Sequence, residues 1–348
     1  MTDSVLRDEI AEQPEVLRRL LLDGAADVAR VAEQLRARPI AHVVIAARGS
    51  SDNAARYAQY VFGAYNRLVV SLATPSLFTR YHAAPRMEGA LVVGVSQSGE
   101  SPDLVAVVAE GRRQGCQTLA ITNVADSPLA KAAHHCIALR AGREQSIAAT
   151  KTYTAQLTAL AMLSTELAQD ETRRHELARV PDFVAAAAGV DDQVVVAAAE
   201  TLLGAGHGVV LGRGFNFATA FELALKAKEL AHVAVEPYSS ADFQHGPIAL
   251  IETGFAAIVI NVSGAVSEEV DGLLADICGR GARPVVLSNL RSSLDRAAAP
   301  IALPADMPEW VSPIAAIVPG QLLAFHMSRS RGLDPDIPRG LHKITKTT

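Results

Sequence analysis

Four landmarks in the first half of the 348-residue chain return in the second half at a nearly constant distance. The apolar run His42-Val43-Val44-Ile45-Ala46-Ala47 ends at Arg48-Gly49. Gly208-Val209-Val210-Leu211-Gly212 ends at Arg213-Gly214, so that Gly49 and Gly214 lie 165 residues apart. Gly99 and Gly264 follow a second pair of runs, again 165 apart. Asn123 and Asn289 close a third pair at 166, and Leu139 and Leu303 a fourth at 164. A chain that keeps this spacing over four landmarks is two copies of one domain, with a period too long for a solenoid. Within each copy, short apolar runs alternate with helix-like stretches, which implies a parallel sheet covered on both faces. Right-handed crossovers make each sheet doubly wound. The expected fold is therefore α/β, two tandem doubly wound parallel-sheet domains related by duplication. The expected divisions are a helical segment over 1–34, a first domain over 35–175, a second over 198–335 and a C-terminal tail over 336–348. The helical stretch from Thr152 to about Ala199 joins the copies, with Ala185 to Gly189 as its linker.

Composition narrows the function. Hydrophobic residues make up 49% and charged residues 20%, enough for two cores. Thirty-two basic against thirty-seven acidic residues leave −5, with no Lys/Arg run to hold a nucleic acid or an anionic membrane. No apolar run of about eighteen residues stands out, so no membrane-spanning helix is expected. The first twenty residues are acidic and helix-like rather than a basic-then-apolar signal. Cys116, Cys136 and Cys278 lie far apart without metal spacing. They read as buried free thiols of a reducing cytoplasm, and no metal or cofactor is expected.

Three segments carry donor groups at strand ends, where ligands of such sheets bind. Ser96-Gln97-Ser98-Gly99-Glu100-Ser101 follows one run and opens a helix. Three hydroxyls, a glycine and a helix N-terminus offer donors and a positive dipole end to an anion. The absence of a P-loop lysine favours a sugar phosphate over a nucleoside triphosphate. Simple helix capping explains the same serines equally well. Gly49-Ser50-Ser51 is a second such turn, and Thr150-Lys151 a third. The second copy loses this character: Asn261-Val262-Ser263 replaces Ser96-Gln97-Ser98, and Phe215 replaces the serine after the glycine.

The second copy carries acid–base candidates instead. Glu222, Lys226 and Glu229 stand at i, i+4 and i+7 and share a helix face. On a solvated helix this is an ordinary ion-pair ladder. Beside a strand-end crevice, the carboxylates and the ammonium fix one another's protonation, and a carboxylate there can move protons between adjacent carbons. His245, in a loop before Gly246-Pro247, is a further candidate. In the tail, Leu341 and Ile344 argue for packing, which would deliver Lys343 as an amine nucleophile.

These segments together resemble the sugar isomerase (SIS) domain family, and within it the isomerase half of glucosamine-6-phosphate synthase. The resemblance runs from about Arg30 to the C-terminus and is most specific at Ser96–Ser101, Ala149-Thr150-Lys151, Glu222–Glu229, Gln244–Leu250 and around Lys343. It implies a flavodoxin-like SIS sheet in each copy. It implies phosphate contacts at Ser96, Ser98 and Ser101, a sugar-backing role for Gln97, a sugar-phosphate contact at Ser51, and substrate-binding positions at Ala149 and Lys151. Glu229 matches the base that shuttles a proton between C1 and C2, with Glu222 and Lys226 supporting it. His245 matches a ring-opening histidine supplied by the partner subunit of a homodimer, and Lys343 a lysine that forms a Schiff base with the open-chain ketose. Two features depart from the whole synthase. The chain starts Met1-Thr2-Asp3 without the glutaminase nucleophile, and Arg48 stands where cysteine is common. This resembles the shorter, stand-alone members of the family, several of which are glucosamine-6-phosphate deaminases and others of which act on sugar-amine conjugates such as fructoselysine 6-phosphate. The resulting expectation is deamination of D-glucosamine 6-phosphate to D-fructose 6-phosphate. Alternatives are a deglycase of 6-phosphorylated fructosyl-amino acids, ammonia-dependent synthesis, and a sugar-phosphate sensor without turnover. A first segment this short and acidic is a poor DNA-binding domain for a sensor.

Overall fold

A computed structural model describes residues 4–343. They fall into two compact units. The front unit comprises residues 15–144, 151–179 and the tail from 342. The rear unit comprises the N-terminal segment to Pro14, residues 145–150 and residues 180–341.

The front unit is built on five parallel strands: β1 (His42–Ala46), β2 (Val69–Leu72), β3 (Ala90–Ser96), β4 (Gln117–Thr122) and β5 (His135–Ala138). Their order is β2-β1-β3-β4-β5. The central strand β3 is buried at every position, as a parallel strand with helices on both faces must be. On one face, Val92, Leu104, Val107, Val108, Ala120 and Leu129 form a core with the helix Pro102–Arg113. On the other lie the helices Ser50–Asn66 and Lys151–Ala168. The second of these is buried at every position from Lys151 to Thr165, polar residues included.

The rear unit repeats the plan with β6 (His207–Gly212), β7 (Ala234–Ser239), β8 (Ala257–Asn261), β9 (Val285–Ser288) and β10 (Ala299–Ala302), all parallel, in the order β10-β9-β8-β6-β7. Read from the other edge this is the front order. Each copy is therefore a doubly wound sheet of flavodoxin-like order, as the duplicated runs imply. Strands β2 and β7, starting at Val69 and Ala234, escape the sequence pattern because they are edge strands without a continuous apolar run. Pro237 sits in β7, which an edge position tolerates.

One element departs from the sequence expectation. Glu309–Ser330 is helical, and long and apolar enough by length and composition to cross a membrane, yet its apolar window is wholly buried. It is the core helix of the rear unit, packed on the helices Phe217–Ala231 and Asp192–Thr201.

The order places one reversal point in each unit, between β1 and β3 and between β6 and β8, where chain connections leave in opposite directions and a crevice opens at the carboxyl ends. Close packing under β3 sets how well that edge is held. A Cβ on Gly94 would lie 2.7 Å from Leu129 Cδ1 and 2.9 Å from Val108 Cγ2. Gly94→Ala is expected to destabilise the chain by about 1–3 kcal/mol through overpacking. Urea unfolding checks this, and an unchanged midpoint would contradict the packing described.

Candidate functional site

In the front unit, Ser51 follows β1 and the loop Ser96–Ser101 follows β3, so both donor-rich turns flank the reversal point. Within the loop, the Gly99 N–H donates to Ser96 Oγ (3.0 Å) and the Glu100 N–H to Ser98 Oγ (3.3 Å). Gly99 is left-handed at φ 66°, and a Cβ there would collide with Ser127. A side chain at this position would push the loop open. Ser101 is the N-cap residue of the helix Pro102–Arg113, but its side chain makes no capping bond. Capping therefore does not account for Ser101, whose hydroxyl stands at a helix N-terminus suited to an anion.

Asn123, one residue beyond β4, ties this loop down. Its N–H donates to the Gln97 carbonyl (3.1 Å), which also accepts from Thr122 Oγ1 (3.2 Å). Its side chain accepts from the Ala141 N–H (2.9 Å) and donates to the Gly142 carbonyl (2.6 Å). Ser51 Oγ accepts from Gln156 Nε2 (2.9 Å) of the buried helix Lys151–Ala168. Arg48 pairs through Nε and Nη2 with Asp103 at 2.9 Å. The Asp103 side chain is 2% exposed and lies in the first turn after the loop. Left uncompensated, that carboxylate would repel a phosphate, so Arg48 neutralises the approach.

Two residues past Gly142, Glu144 is buried. It accepts from the Thr152 N–H (3.1 Å) and Thr152 Oγ1 (2.8 Å). Lys343 Nζ reaches the same carboxylate at 2.8 Å with its own side chain 24% exposed. The tail thus brings its lysine into the front unit. Ile344, invoked as a packing residue, lies outside the described residues. Lys151, buried, opens the helix that holds Thr152 and Gln156. Ala149, half-buried, belongs to the rear unit's segment 145–150.

The equivalent loop of the rear unit is filled by the protein itself. The Ala265 N–H donates to Glu309 Oε2 (2.8 Å), and a Cβ on Gly264 would collide with that carboxylate. Asn289, the counterpart of Asn123, accepts from the Ser263 N–H (2.8 Å) and donates to Ser263 Oγ (2.9 Å). Arg213 is paired with Glu269 (2.6 Å). A carboxylate at the turn explains why this copy has no further use for serines.

The acid–base helix of the rear unit is Phe217–Ala231. Lys226 Nζ lies 3.3 Å from Glu222 Oε1 and 2.6 Å from Glu229 Oε2. The Lys226 and Glu222 side chains are 1% and 0% exposed, and Glu229 is 22% exposed. Burial works to lower the lysine pKa, but the two carboxylates outweigh it and hold the group well above its ordinary value. Lys226 is thus a fixed ammonium rather than a base. A solvated ladder does not look like this. The partly exposed Glu229 presents its second oxygen, which takes no hydrogen bond among the described residues. His245 is exposed at the end of the short helix Ser240–Gln244. It lines a cleft of about 620 Å³ with Arg213, Gln244, Glu269 and Leu273, and Glu229 is not among the lining residues.

Sequence reasoning missed Glu144, Thr152, Gln156 and Glu309. Asn123 carried a signal, since it closes a repeated landmark with Asn289. The others gave none, because their roles depend on contacts between segments distant in sequence.

The sequence pattern of the SIS domain family matches residues 26–165 and 201–330. Among curated relatives, the isomerising glutamine–fructose-6-phosphate aminotransferase of Thermococcus kodakarensis is 34% identical over 345 residues, covering 96% of this chain and 56% of its own. The chain thus spans little more than half the length of that relative. Among solved structures, a provisionally assigned phosphosugar isomerase from Silicibacter pomeroyi is 35% identical, with a TM-score of 0.87 over 96% of this chain and 100% of its own. The C-terminal domain of glucosamine–fructose-6-phosphate aminotransferase from Francisella tularensis is 26% identical, with a TM-score of 0.87 over 96% of this chain and 98% of its own.

Two outcomes are expected. A phosphate monoester should bind once per chain in isothermal titration calorimetry, because Glu309 fills the rear loop; two equal sites would contradict this. Lys226→Met leaves buried carboxylate charge unpaired and should destabilise the chain by about 3–5 kcal/mol. Because the Lys226 pKa is raised on folding, its stabilising contribution is complete below the unfolded lysine value, about pH 10.4, and fades as pH rises through the folded value. The wild-type advantage in urea melts should therefore persist at neutral pH and shrink in alkali. An advantage lost between pH 5 and 8 would contradict the charge state assigned.

Proposed function

Because this chain belongs to the SIS domain family, we propose that it is an amino-sugar-phosphate isomerase that deaminates D-glucosamine 6-phosphate to D-fructose 6-phosphate and ammonia. The observation that carries the reading is Glu229, a partly exposed carboxylate held by a buried ammonium that cannot itself accept a proton. A carboxylate with one oxygen fixed and one available suits transfer of a proton between C1 and C2.

The other groups take consistent parts. Ser96, Ser98, Ser101 and Ser51, with the loop amides and the helix N-terminus, hold the phosphate by neutral donors. Gln97 backs the sugar, and Ala149 and Lys151 complete the substrate contacts. His245 assists ring opening. Its exposed ring suits delivery into a second copy's site, so the working enzyme is a homodimer in this reading. Glu222 and Lys226 hold Glu229. Lys343 attacks the C2 ketimine that the proton transfer leaves, ammonia departs as the lysine imine forms, and water then releases fructose 6-phosphate. Burial pushes the thiols of Cys116, Cys136 and Cys278 up, and Cys116 Sγ is engaged with the Met87 carbonyl, so none is an activated thiolate.

The test is ammonia release from glucosamine 6-phosphate. Glu229→Gln should slow it by about 10²–10⁴-fold while fructose 6-phosphate still binds. No ammonia above that variant would overturn the reading. Stabilisation by fructose 6-phosphate without turnover would instead favour a sensor, and amine release confined to fructosyl-amino acid 6-phosphates would favour a deglycase.

A further inference from the structure

We propose that Glu144 is the positioning residue that seats the Lys343 amine for imine formation; this rests on the reading of Lys343 given above. Three observations carry it. The Glu144 side chain is fully buried, and an isolated buried carboxylate is costly unless it is paired and hydrogen-bonded. Its charge is met from two sides. Thr152 donates through both its N–H and its hydroxyl at the first turn of the eighteen-residue helix Lys151–Ala168, and Lys343 Nζ donates at 2.8 Å. Finally, the two partners reach the contact from different elements. Glu144 sits between a loop anchored by Asn123 and a buried helix, whereas Lys343 arrives on the tail beyond the last helix. The location of the amine is therefore set by Glu144.

The same hydrogen bonds fix that location relative to the phosphate loop. Asn123 joins the Gln97 carbonyl to Ala141 and Gly142, two residues before Glu144. The helix that holds Glu144 through Thr152 also holds Ser51 through Gln156. The two turns proposed to grip the phosphate and the carboxylate that grips the amine thus belong to one framework within the front unit.

The chemistry balances. Lys343 as an ammonium cannot attack a carbonyl. It gives one proton to Glu144, and the freed nitrogen pair forms a bond to the ketose carbonyl carbon as the C=O π pair moves to oxygen, giving a carbinolamine. The bound nitrogen passes a second proton to that oxygen, Glu144 returns its own proton to the resulting hydroxyl, and the C–O bond breaks as the nitrogen pair closes C=N and water leaves. The sum is ammonium plus ketone going to protonated imine plus water, with no other reactant.

The test traps the imine. Fructose 6-phosphate and cyanoborohydride are added to the full chain, and the adduct at Lys343 is quantified by mass spectrometry. Glu144→Gln should lower the trapping rate by about 10–100-fold through loss of amine placement, with affinity for fructose 6-phosphate little changed. Glu144→Asp should recover part of the rate. Trapping in Glu144→Gln as fast as in the wild type would overturn the proposal. Seating of the amine is also read without chemistry, by tryptic cleavage after Lys343 in the sugar-free protein. Cleavage should be several-fold faster in Glu144→Gln, and equal cleavage would overturn the proposal. If Glu144→Gln fails to fold, Lys343→Gln removes the contact from the tail side. Cleavage after Arg339 should then accelerate, and an unchanged rate would overturn the proposal. A wild-type chain that binds fructose 6-phosphate and protects Lys343 but yields no adduct would refute the imine reading of Lys343 while leaving its seat on Glu144 intact.

Discussion

The front site depends on one asparagine. Asn123 follows β4 and bonds in two directions, through its backbone to the Gln97 carbonyl and through its amide to Ala141 and Gly142. A donor-rich loop has no value as an anion cradle unless its amides and hydroxyls are held in place before the ligand arrives, because ordering them on binding subtracts from affinity. Asn123 supplies that order and, by fixing the segment that leads to Glu144, also sets where the tail lysine lies. The rear copy keeps an asparagine in the same place and role, with Asn289 bonding Ser263 through both N–H and hydroxyl. The rear loop bonds a carboxylate of the protein itself, Glu309.

Duplication explains how one fold holds two chemistries. Both copies open a crevice at the same reversal point of the sheet. The front copy retains serines in its loop there, whereas the rear copy has closed its loop with a carboxylate and carries Glu222, Lys226 and Glu229 on the helix Phe217–Ala231. Lys226 is the costly member of that set, since burying an ammonium requires nearby negative charge. Of the two carboxylates around that ammonium, Glu222 is fully buried and Glu229 is the more exposed.

The sheet architecture was legible in the sequence because fully buried parallel strands are continuous apolar runs, and the repeat made each run confirm another. Edge strands β2 and β7 were not legible, since exposed residues interrupt both. The spacing of Glu222, Lys226 and Glu229 showed a shared helix face, but a solvated ladder has the same spacing; only burial separates the two. Ser101 was ambiguous between cap and ligand until its side chain was seen to make no capping bond. Glu144 was invisible between Arg143 and Gln145, as polar a neighbourhood as any loop. Its partners lie 8 and 199 positions away, and nothing local encodes them.

The chemistry proposed for this chain is proton movement between two carbons of a bound sugar phosphate. It is tested most directly by incubating the protein with fructose 6-phosphate in deuterium oxide and following the C1 protons by NMR. Enzyme-dependent loss of one C1 proton signal is expected as solvent deuterium enters, with no such exchange in Glu229→Gln. Bound fructose 6-phosphate whose C1 protons exchange no faster than in buffer would contradict it.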